Sequence, residues 1–377
     1  VSKGTVVVGM SGGVDSSVAA YLLKEEGYNV IGVTMQIWQA DDAEETARDN
    51  GCCGITAVDD ARRVAERIGI PYYVMNFREE FQQNVIDYFT REYLAGRTPN
   101  PCIACNRYVK WESLLQKSMA LGADYIATGH YAQVVKLPNG RYSLHMSKTQ
   151  AKDQTYALYN LTQEQLKHTL MPVGAYEKPE VREIAERIGL PVSHKPDSQE
   201  ICFINDNDYA GFIEKEVERE NERTADAGSK LVVPGPGNFV TADGKILGQH
   251  KGITHYTIGQ RRGLGLPMGH HVFVTEIRPE TNEVVIGENT DVFTTSLLCN
   301  ALNFMSVEDL PIGEKARVMG KIRYKHGGEM CTLTRVDEDT IRADFDTPVR
   351  AVTPGQAVVF YDGDVVYGGG TIMGPVK

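Results

Sequence analysis

The chain contains no long apolar run. None of its stretches approaches the ~20 residues a membrane-spanning helix needs, and its N-terminus carries no charged-then-apolar leader, so a cytoplasmic location is the expectation. Cysteine is scarce and odd in number, seven in 377 residues, which argues against a secreted disulfide framework and leaves redox, metal and nucleophile roles open. Cys102-Ile103-Ala104-Cys105 has no second Cys-x-x-Cys to complete a tetrahedral zinc site. Positive charge is in deficit as well: 39 Lys and Arg against 50 Asp and Glu leave a net charge of −11. Such a balance speaks against nucleic-acid binding unless the cations gather on one face.

What is present is a globular composition, 42% hydrophobic and 24% charged, in a chain long enough for two or three domains. Its most informative stretch is Val6-Val7-Val8-Gly9-Met10-Ser11-Gly12-Gly13-Val14-Asp15-Ser16-Ser17, an apolar run, a glycine-serine turn and an amphipathic segment in succession. These are a strand, a phosphate loop and a helix: glycines let backbone N–H groups approach an anion, and serine hydroxyls add donors at the positive helix end. No Gly-Lys-Ser/Thr closes the loop, so the lysine that grips the outer phosphates of Walker A enzymes is missing. Ser11-Gly12-Gly13-Val14-Asp15-Ser16-Ser17 instead resembles the loop of the PP-loop ATP pyrophosphatases, which adenylate a substrate oxygen and release pyrophosphate.

Gly27 is expected to cap the first helix, and residues 29–37 read as a second buried strand. Residues 39–54 form an acidic, irregular loop ending in Cys52-Cys53. A helix around 58–68 and a strand at 72–77 follow; a helix over 81–94 is then broken by Gly96-Arg97-Thr98-Pro99-Asn100-Pro101, whose two prolines and glycine exclude regular structure. Helix 106–121 and strand 124–128 complete an alternation that calls for an α/β fold with a doubly wound parallel sheet. Ligands of such sheets bind beyond the carboxyl ends of the strands, where the loop, Met35 and Thr128-Gly129-His130 all fall, so these should share one crevice.

The charge run over 214–223 reads as a solvated helix at a domain boundary, residues 230–275 as a Gly-rich piece with short strands, and the chain from about 280 as a small β-barrel. The division is therefore 1–205, a PP-loop catalytic domain; 206–278, a central domain; and 279–377, the barrel. Lys315, Arg317, Lys321, Arg323 and Lys325 alternate with Ala316, Val318, Ile322 and Tyr324, so period two puts the cations on one face. With Gln260-Arg261-Arg262 they form the local basic surface that the overall charge conceals.

Cys102 and Cys105 lie where a helix starts, so the helix dipole and Arg107 can favour a thiolate. Cys202 follows Asp197-Ser198-Gln199-Glu200-Ile201, an unusual setting for an inert thiol. Together with Ala127-Thr128-Gly129-His130, Lys152-Asp153-Gln154, Tyr256-Thr257-Ile258-Gly259-Gln260-Arg261, Arg323-Tyr324 and Thr353-Pro354-Gly355-Gln356, these motifs make the chain resemble the tRNA-specific 2-thiouridylases over essentially its whole length.

That resemblance implies that Gly9, Met10, Ser11, Gly12, Gly13, Val14, Asp15, Ser16, Met35 and Gly129 contact ATP, with Mg2+ as its companion. It implies that Asn100, Pro101 and Cys102 lie against the target base, and that His130, Lys152, Asp153, Gln154, Arg323, Tyr324 and Gln356 touch tRNA. Cys105 and Cys202 are then the catalytic pair, with Asp15 among the catalytic residues. The expected reaction is ATP-dependent sulfur transfer to C2 of the wobble uridine in tRNAs for Lys, Glu and Gln, by a transferase that is monomeric when free of tRNA. Sulfur would come from a cysteine desulfurase, a sulfur relay protein or inorganic sulfide.

Many members of the family carry Asp where this chain has Cys102. Cys102, Cys105 and Cys202 could therefore converge as three thiolate ligands of a [4Fe-4S] cluster with one open iron, an alternative to a persulfide route. Two further readings stay open: a PP-loop ligase acting on a small molecule, and a nucleotide-gated tRNA-binding module without catalysis.

Overall fold

A computed structural model describes residues 2–37, 55–196, 201–204, 208–224 and 227–376. The segment with Cys52 and Cys53, and residues 197–200 of the motif before Cys202, lie outside the described residues. The chain opens with β1 (Thr5–Gly9), α1 (Val14–Glu25), β2 (Asn29–Gln36), helix Ile55–Ile68 and β3 (Tyr72–Asn76). After two longer helical stretches come β4 (Tyr125–Ala127), the hairpin β5 (Ala132–Lys136) and β6 (Tyr142–Met146), and the short β7 (Thr169–Leu170). Strands β3-β2-β1-β4-β7 form one parallel sheet in that order.

Period two along β1 divides two cores. Val7 enters the core shared with Phe81, Phe89 and Trp111; Val6 and Val8 enter the core under α1 and helix Lys178–Arg187. Both faces of β1 are thus covered, which is why its sequence is apolar without alternation. Gly27, at φ +94, ends α1 as expected, with Tyr28 N donating to Leu23 O.

The proline-rich break is shorter than expected. Residues 101–120 are helical throughout, in three consecutive pieces, with Pro101 first and Asn100 as cap, its side-chain oxygen accepting from Ile103 N at 3.3 Å. Proline at the first helical position loses no bond, because that N–H has no partner inside a helix. The charge run also differs from expectation. Helix Tyr209–Arg223 buries Ala210, Ile213, Glu216 and Val217, and Phe212 meets Phe89 and Phe203, so one face docks on the catalytic core while the rest is solvated.

A four-stranded sheet follows, built from β8 (Gly237–Val240), β9 (Ile246–His250), β10 (Phe273–Arg278) and β11 (Glu283–Gly287) in the order β10-β11-β8-β9. Strands β10 and β11 pair as a hairpin across residue 278, where the sequence suggests a boundary. Strands β12 (Phe293–Phe304), β13 (Lys315–Lys321), β14 (Glu329–Arg335), β15 (Ile341–Arg350), β16 (Ala357–Asp362) and β17 (Val365–Pro375) make a barrel that the β12–β17 pairing closes. No helix among the described residues is long and apolar enough to cross a membrane.

The barrel is fused to the catalytic domain. Hairpin β5–β6 runs along β17: Met146 N donates to Asp364 O at 2.8 Å and Ser143 Oγ to Val366 O at 2.7 Å. Ala357, Val359, Tyr361 and Val366 of the barrel share one core with Tyr156, Leu158, Tyr159 and Leu161. Each fully buried aliphatic or aromatic side chain there contributes roughly 1.5–3 kcal/mol, so the two units should not separate. A chain ending after β11 is expected to aggregate rather than run as a compact monomer, as size-exclusion chromatography would read; a soluble truncated form melting at the full-length temperature would contradict the shared core.

Candidate active site

The phosphate loop leaves the carboxyl end of β1 where the strand order reverses between β2 and β4, the switch point at which open α/β sheets bind ligands. Gly12 has φ +68, and a Cβ on it would lie 2.5 Å from Ala57 O, so shape and conformation both require glycine. Gly129, beyond β4, comes so close that a Cβ would stand 2.5 Å from Ser16 N. The two loops therefore meet as the sheet topology predicts. Gly13 caps α1 without any side-chain cap bond, leaving a helix N-terminus for an anion. Ser16 Oγ accepts from Ser11 N at 3.2 Å, and Ser17 Oγ donates to Gly13 O at 2.7 Å, which fixes the turn. Met10 is buried beneath it, its carbonyl accepting from Thr34 Oγ1, while Met35 lies at the end of β2 against the adjoining core.

Sequence reasoning missed the partners of Asp15. Lys178 Nζ is 2.7 Å from Asp15 Oδ1 and 2.8 Å from Oδ2, and the Tyr131 hydroxyl donates to Oδ1 at 2.8 Å. Lys195 Nζ donates to Gly12 O at 3.2 Å and pairs with Asp60 at 2.9 Å. A cation therefore stands beside the loop after all, supplied from 163 residues away in sequence rather than from a Walker motif.

From Tyr131 the contacts run onward. Tyr131 N donates to Gln154 Oε1 at 2.8 Å, and Gln154 N returns a bond to Tyr131 O at 2.9 Å. Asp153 is buried and accepts from Ser147 N, Thr155 N and Thr155 Oγ1, so its carboxylate organises the loop, and burial raises its pKa despite those donors. The Tyr324 phenol, pushed up first by burial, also feels Asp153, Lys152 and Cys102. Its ring stands 6.2 Å from that of Tyr156. Gln356 Nε2 donates to Pro99 O at 3.4 Å, and Thr98 N to Pro354 O at 2.9 Å, locking the barrel loop onto the segment before Asn100 and Pro101. The structure thus gathers Asn100, Pro101, Cys102, Lys152, Asp153, Gln154, Tyr324 and Gln356 at the junction of catalytic domain and barrel.

Cys105 begins a π-helical stretch, Cys105–Leu114, and the next residue, Asn106, ties it to Ala157 O at 2.9 Å. Cys105 and Cys202 pack on the same core; Phe203 anchors the latter by ring contacts with Phe81, Phe89 and Phe212. Arg107, expected beside the thiolate, lies 5.1 Å over the Tyr108 ring. Among the described residues no three His, Cys, Asp or Glu side chains gather as metal ligands do, so Cys102, Cys105 and Cys202 do not fit a three-thiolate iron-sulfur site.

The basic stripe is only partly realised. Alternation holds along β13 to Lys321, but Arg317 is neutralised by Asp346 and Lys321 lies 5.4 Å over the Tyr361 ring. Arg323 lies beyond the strand end and donates to Arg350 O at 2.7 Å.

His130 accepts or donates one bond with Thr128 Oγ1 at 2.7 Å, and its ring lies 5.6 Å from that of Trp111, tilted by 52°. Burial, then the Lys110 ammonium, holds its pKa well below the ordinary histidine value. The unfolded chain therefore binds this proton first. Stability from His130 is fully present above about pH 6.5 and falls as pH drops toward the folded value, by at most about 1.4 kcal/mol per pH unit. Denaturant melts between pH 7 and pH 5 should show a shallower loss in His130→Gln than in the parent chain.

Comparison with known proteins agrees with this geometry. Residues 4–206 match the family model described as a tRNA methyl transferase HUP domain, 229–288 a tRNA methyl transferase PRC-barrel domain, and 294–372 an aminomethyltransferase beta-barrel domain. A tRNA-specific 2-thiouridylase MnmA of Lachnoclostridium phytofermentans is 65% identical over 98% of this chain and 99% of its own. Proteins of the same name from Clostridioides difficile and Acetivibrio thermocellus are 55% and 54% identical, over 97% and 99% of this chain and 97% and 100% of theirs. Over its whole described architecture, from the phosphate loop to the closed barrel, the chain belongs to the tRNA-specific 2-thiouridylase family.

Proposed function

We propose that this protein is an ATP-dependent tRNA sulfurtransferase that replaces the C2 oxygen of the wobble uridine with sulfur. The observation that carries the reading is the run of hydrogen bonds from Asp15, at the start of α1, through Tyr131 to Gln154, the last residue of the 152–154 turn that holds the buried Asp153. Nucleotide and base are thereby served by one connected site.

Oxide is too poor a leaving group to be expelled from the base. Uracil O2 attacks the α-phosphorus of ATP, pyrophosphate departs, and the oxygen becomes part of an adenylate that can leave as AMP. The terminal sulfur of a persulfide on Cys202 then attacks C2 and AMP carries the oxygen away. Cys105 thiolate attacks the Cys202 sulfur, the persulfide bond breaks, sulfur stays on C2 and a Cys105–Cys202 disulfide forms. Two electrons from a dithiol reductant restore the thiols, and a persulfide-bearing donor protein reloads Cys202. An anticodon loop is the cheapest place to turn a uridine out of its stack, in keeping with wobble uridines of tRNAs for Lys, Glu and Gln as substrates.

Lys178 takes the place of the absent loop lysine, its ammonium meeting ATP phosphates beside Asp15. A Mg2+ ion accompanying ATP would find Asp15 as its carboxylate at this turn and would neutralise phosphate charge. Methyl transfer, the activity in two of the family-model descriptions, would leave the phosphate loop, Lys178 and both cysteines without a task.

Cells lacking the protein should lose 2-thiouridine from tRNA by nucleoside mass spectrometry, other modifications intact. Cys105→Ala or Cys202→Ala should abolish thiolation while tRNA-dependent pyrophosphate release continues; unchanged thiolation in either variant would sink the sulfur route. Lys178→Met should lower tRNA-dependent pyrophosphate release on the order of 10²-fold, the cost of removing one preorganised charge-stabilising donor. Rates at parent level would remove Lys178 from the nucleotide site.

A further inference from the structure

Between the central unit and the barrel lies an open cleft of about 490 Å³ lined by Gly259, Gln260, Arg261, Arg262, Phe273, Asn289 and Arg350. Three guanidinium groups border it and none of its lining residues is a carboxylate, in a chain whose net charge is −11. The nearest acid in sequence to Asn289, Glu288, is turned onto His270 at 2.8 Å.

The walls are built rather than incidental. Gly259 has φ +86, and a Cβ there would lie 2.7 Å from the Ala351 side chain, so the loop can approach the barrel only as glycine. Gln260 is pinned on four sides: its Oε1 accepts from Thr257 N at 3.0 Å, its Nε2 donates to Arg262 O at 3.0 Å, its N donates to Thr257 O, and its O accepts from Val274 N. Opposite, the Arg350 guanidinium lies 5.2 Å over the Phe273 ring, and the chain turns at Ala351 with φ +59, a conformation alanine rarely adopts. Arg350 is thereby oriented, while Arg261 and Arg262 reach out from the pinned loop as exposed cations, and planar guanidiniums suit the oxygens of a phosphodiester.

The cleft also adjoins the base site. Arg323 Nη1 donates to Arg350 O at 2.7 Å, and the next residue, Tyr324, sets its ring 6.2 Å from that of Tyr156, shortly after the 152–154 turn, so one arginine side chain ties the cleft wall to that region. We propose that this cleft is an RNA-phosphate site, in which Arg261, Arg262 and Arg350 grip the backbone of the same anticodon arm whose uridine enters beside Cys102 and Tyr324. The inference rests on the sulfurtransferase reading and adds to it a second, sequence-independent hold on the RNA.

The test measures the affinity of the full-length chain for unmodified tRNA, and for an isolated anticodon stem-loop, as a function of salt. Arg261→Gln with Arg262→Gln should weaken binding of both RNAs roughly tenfold per arginine and lower the slope of log affinity against log salt by about one per arginine. Arg342→Gln, whose partner is Asp344 on the barrel wall, is the control and should leave the slope unchanged. Arg350→Lys, which keeps the charge but not the planar stack on Phe273, should retain the slope and lose affinity, and its thermal melt reports whether the barrel is intact. An unchanged slope in the double variant while the parent chain thiolates tRNA overturns the cleft alone; a slope change confined to full-length tRNA overturns the assignment to the anticodon arm. Loss of inorganic phosphate binding, read by calorimetry, with tRNA affinity intact would make it a small-anion site and overturn the RNA reading. Absence of any tRNA binding by the parent chain would overturn the function and the cleft together.

Discussion

Close approach of two loops at the strand-order reversal is the constraint on which the rest depends. Gly129 comes up against the backbone of Asp15 and Ser16, and Gly12 against Ala57, so that the start of α1 is walled on two sides and open on the third. A side chain at either position would push the walls apart and the backbone donors out of line. Everything that supports this corner, from the apolar strands on both faces of the sheet to the Thr34 bond under Met10, serves to hold glycine backbones at contact distance.

The second organising fact is that the barrel is part of the catalytic core, not an appendage. A core that mixes Tyr156 and Leu158 with Val359 and Tyr361 cannot hinge without exposing aromatic surface, and Tyr156 OH donating to Ala357 O would be lost with it. Residues from the loop after Thr98, the 152–154 turn and the barrel's 323–356 region are accordingly held as one surface.

Much of this was legible in sequence where the physics is local. Valines before a glycine-serine turn, Gly27 after a helix, and short strands after residue 280 each announce their element through period, φ preference or turn chemistry. Pro101 misled because two prolines read as a break, although Asn100 followed by proline is also how helices begin. The charged run 214–223 hid the buried Glu216 and Val217, which continue the face begun by Ala210 and Ile213. Lys178 had no motif, since only the tertiary fold brings it to Asp15. One signal was available: it is the first residue of its helix, the end where the dipole disfavours a cation, so its charge had to be answered elsewhere. Fusion of hairpin β5–β6 to the barrel had no sequence signal, because edge pairing is decided by what lies beside it.

Tyr131 holds the Asp15 carboxylate with its hydroxyl and Gln154 with its backbone. A triphosphate that draws Asp15 or Lys178 into new contacts must disturb a residue that also fixes the turn at 152–154. Thermodynamic reciprocity then applies: whatever factor nucleotide adds to the enzyme's hold on RNA, RNA adds to its hold on nucleotide.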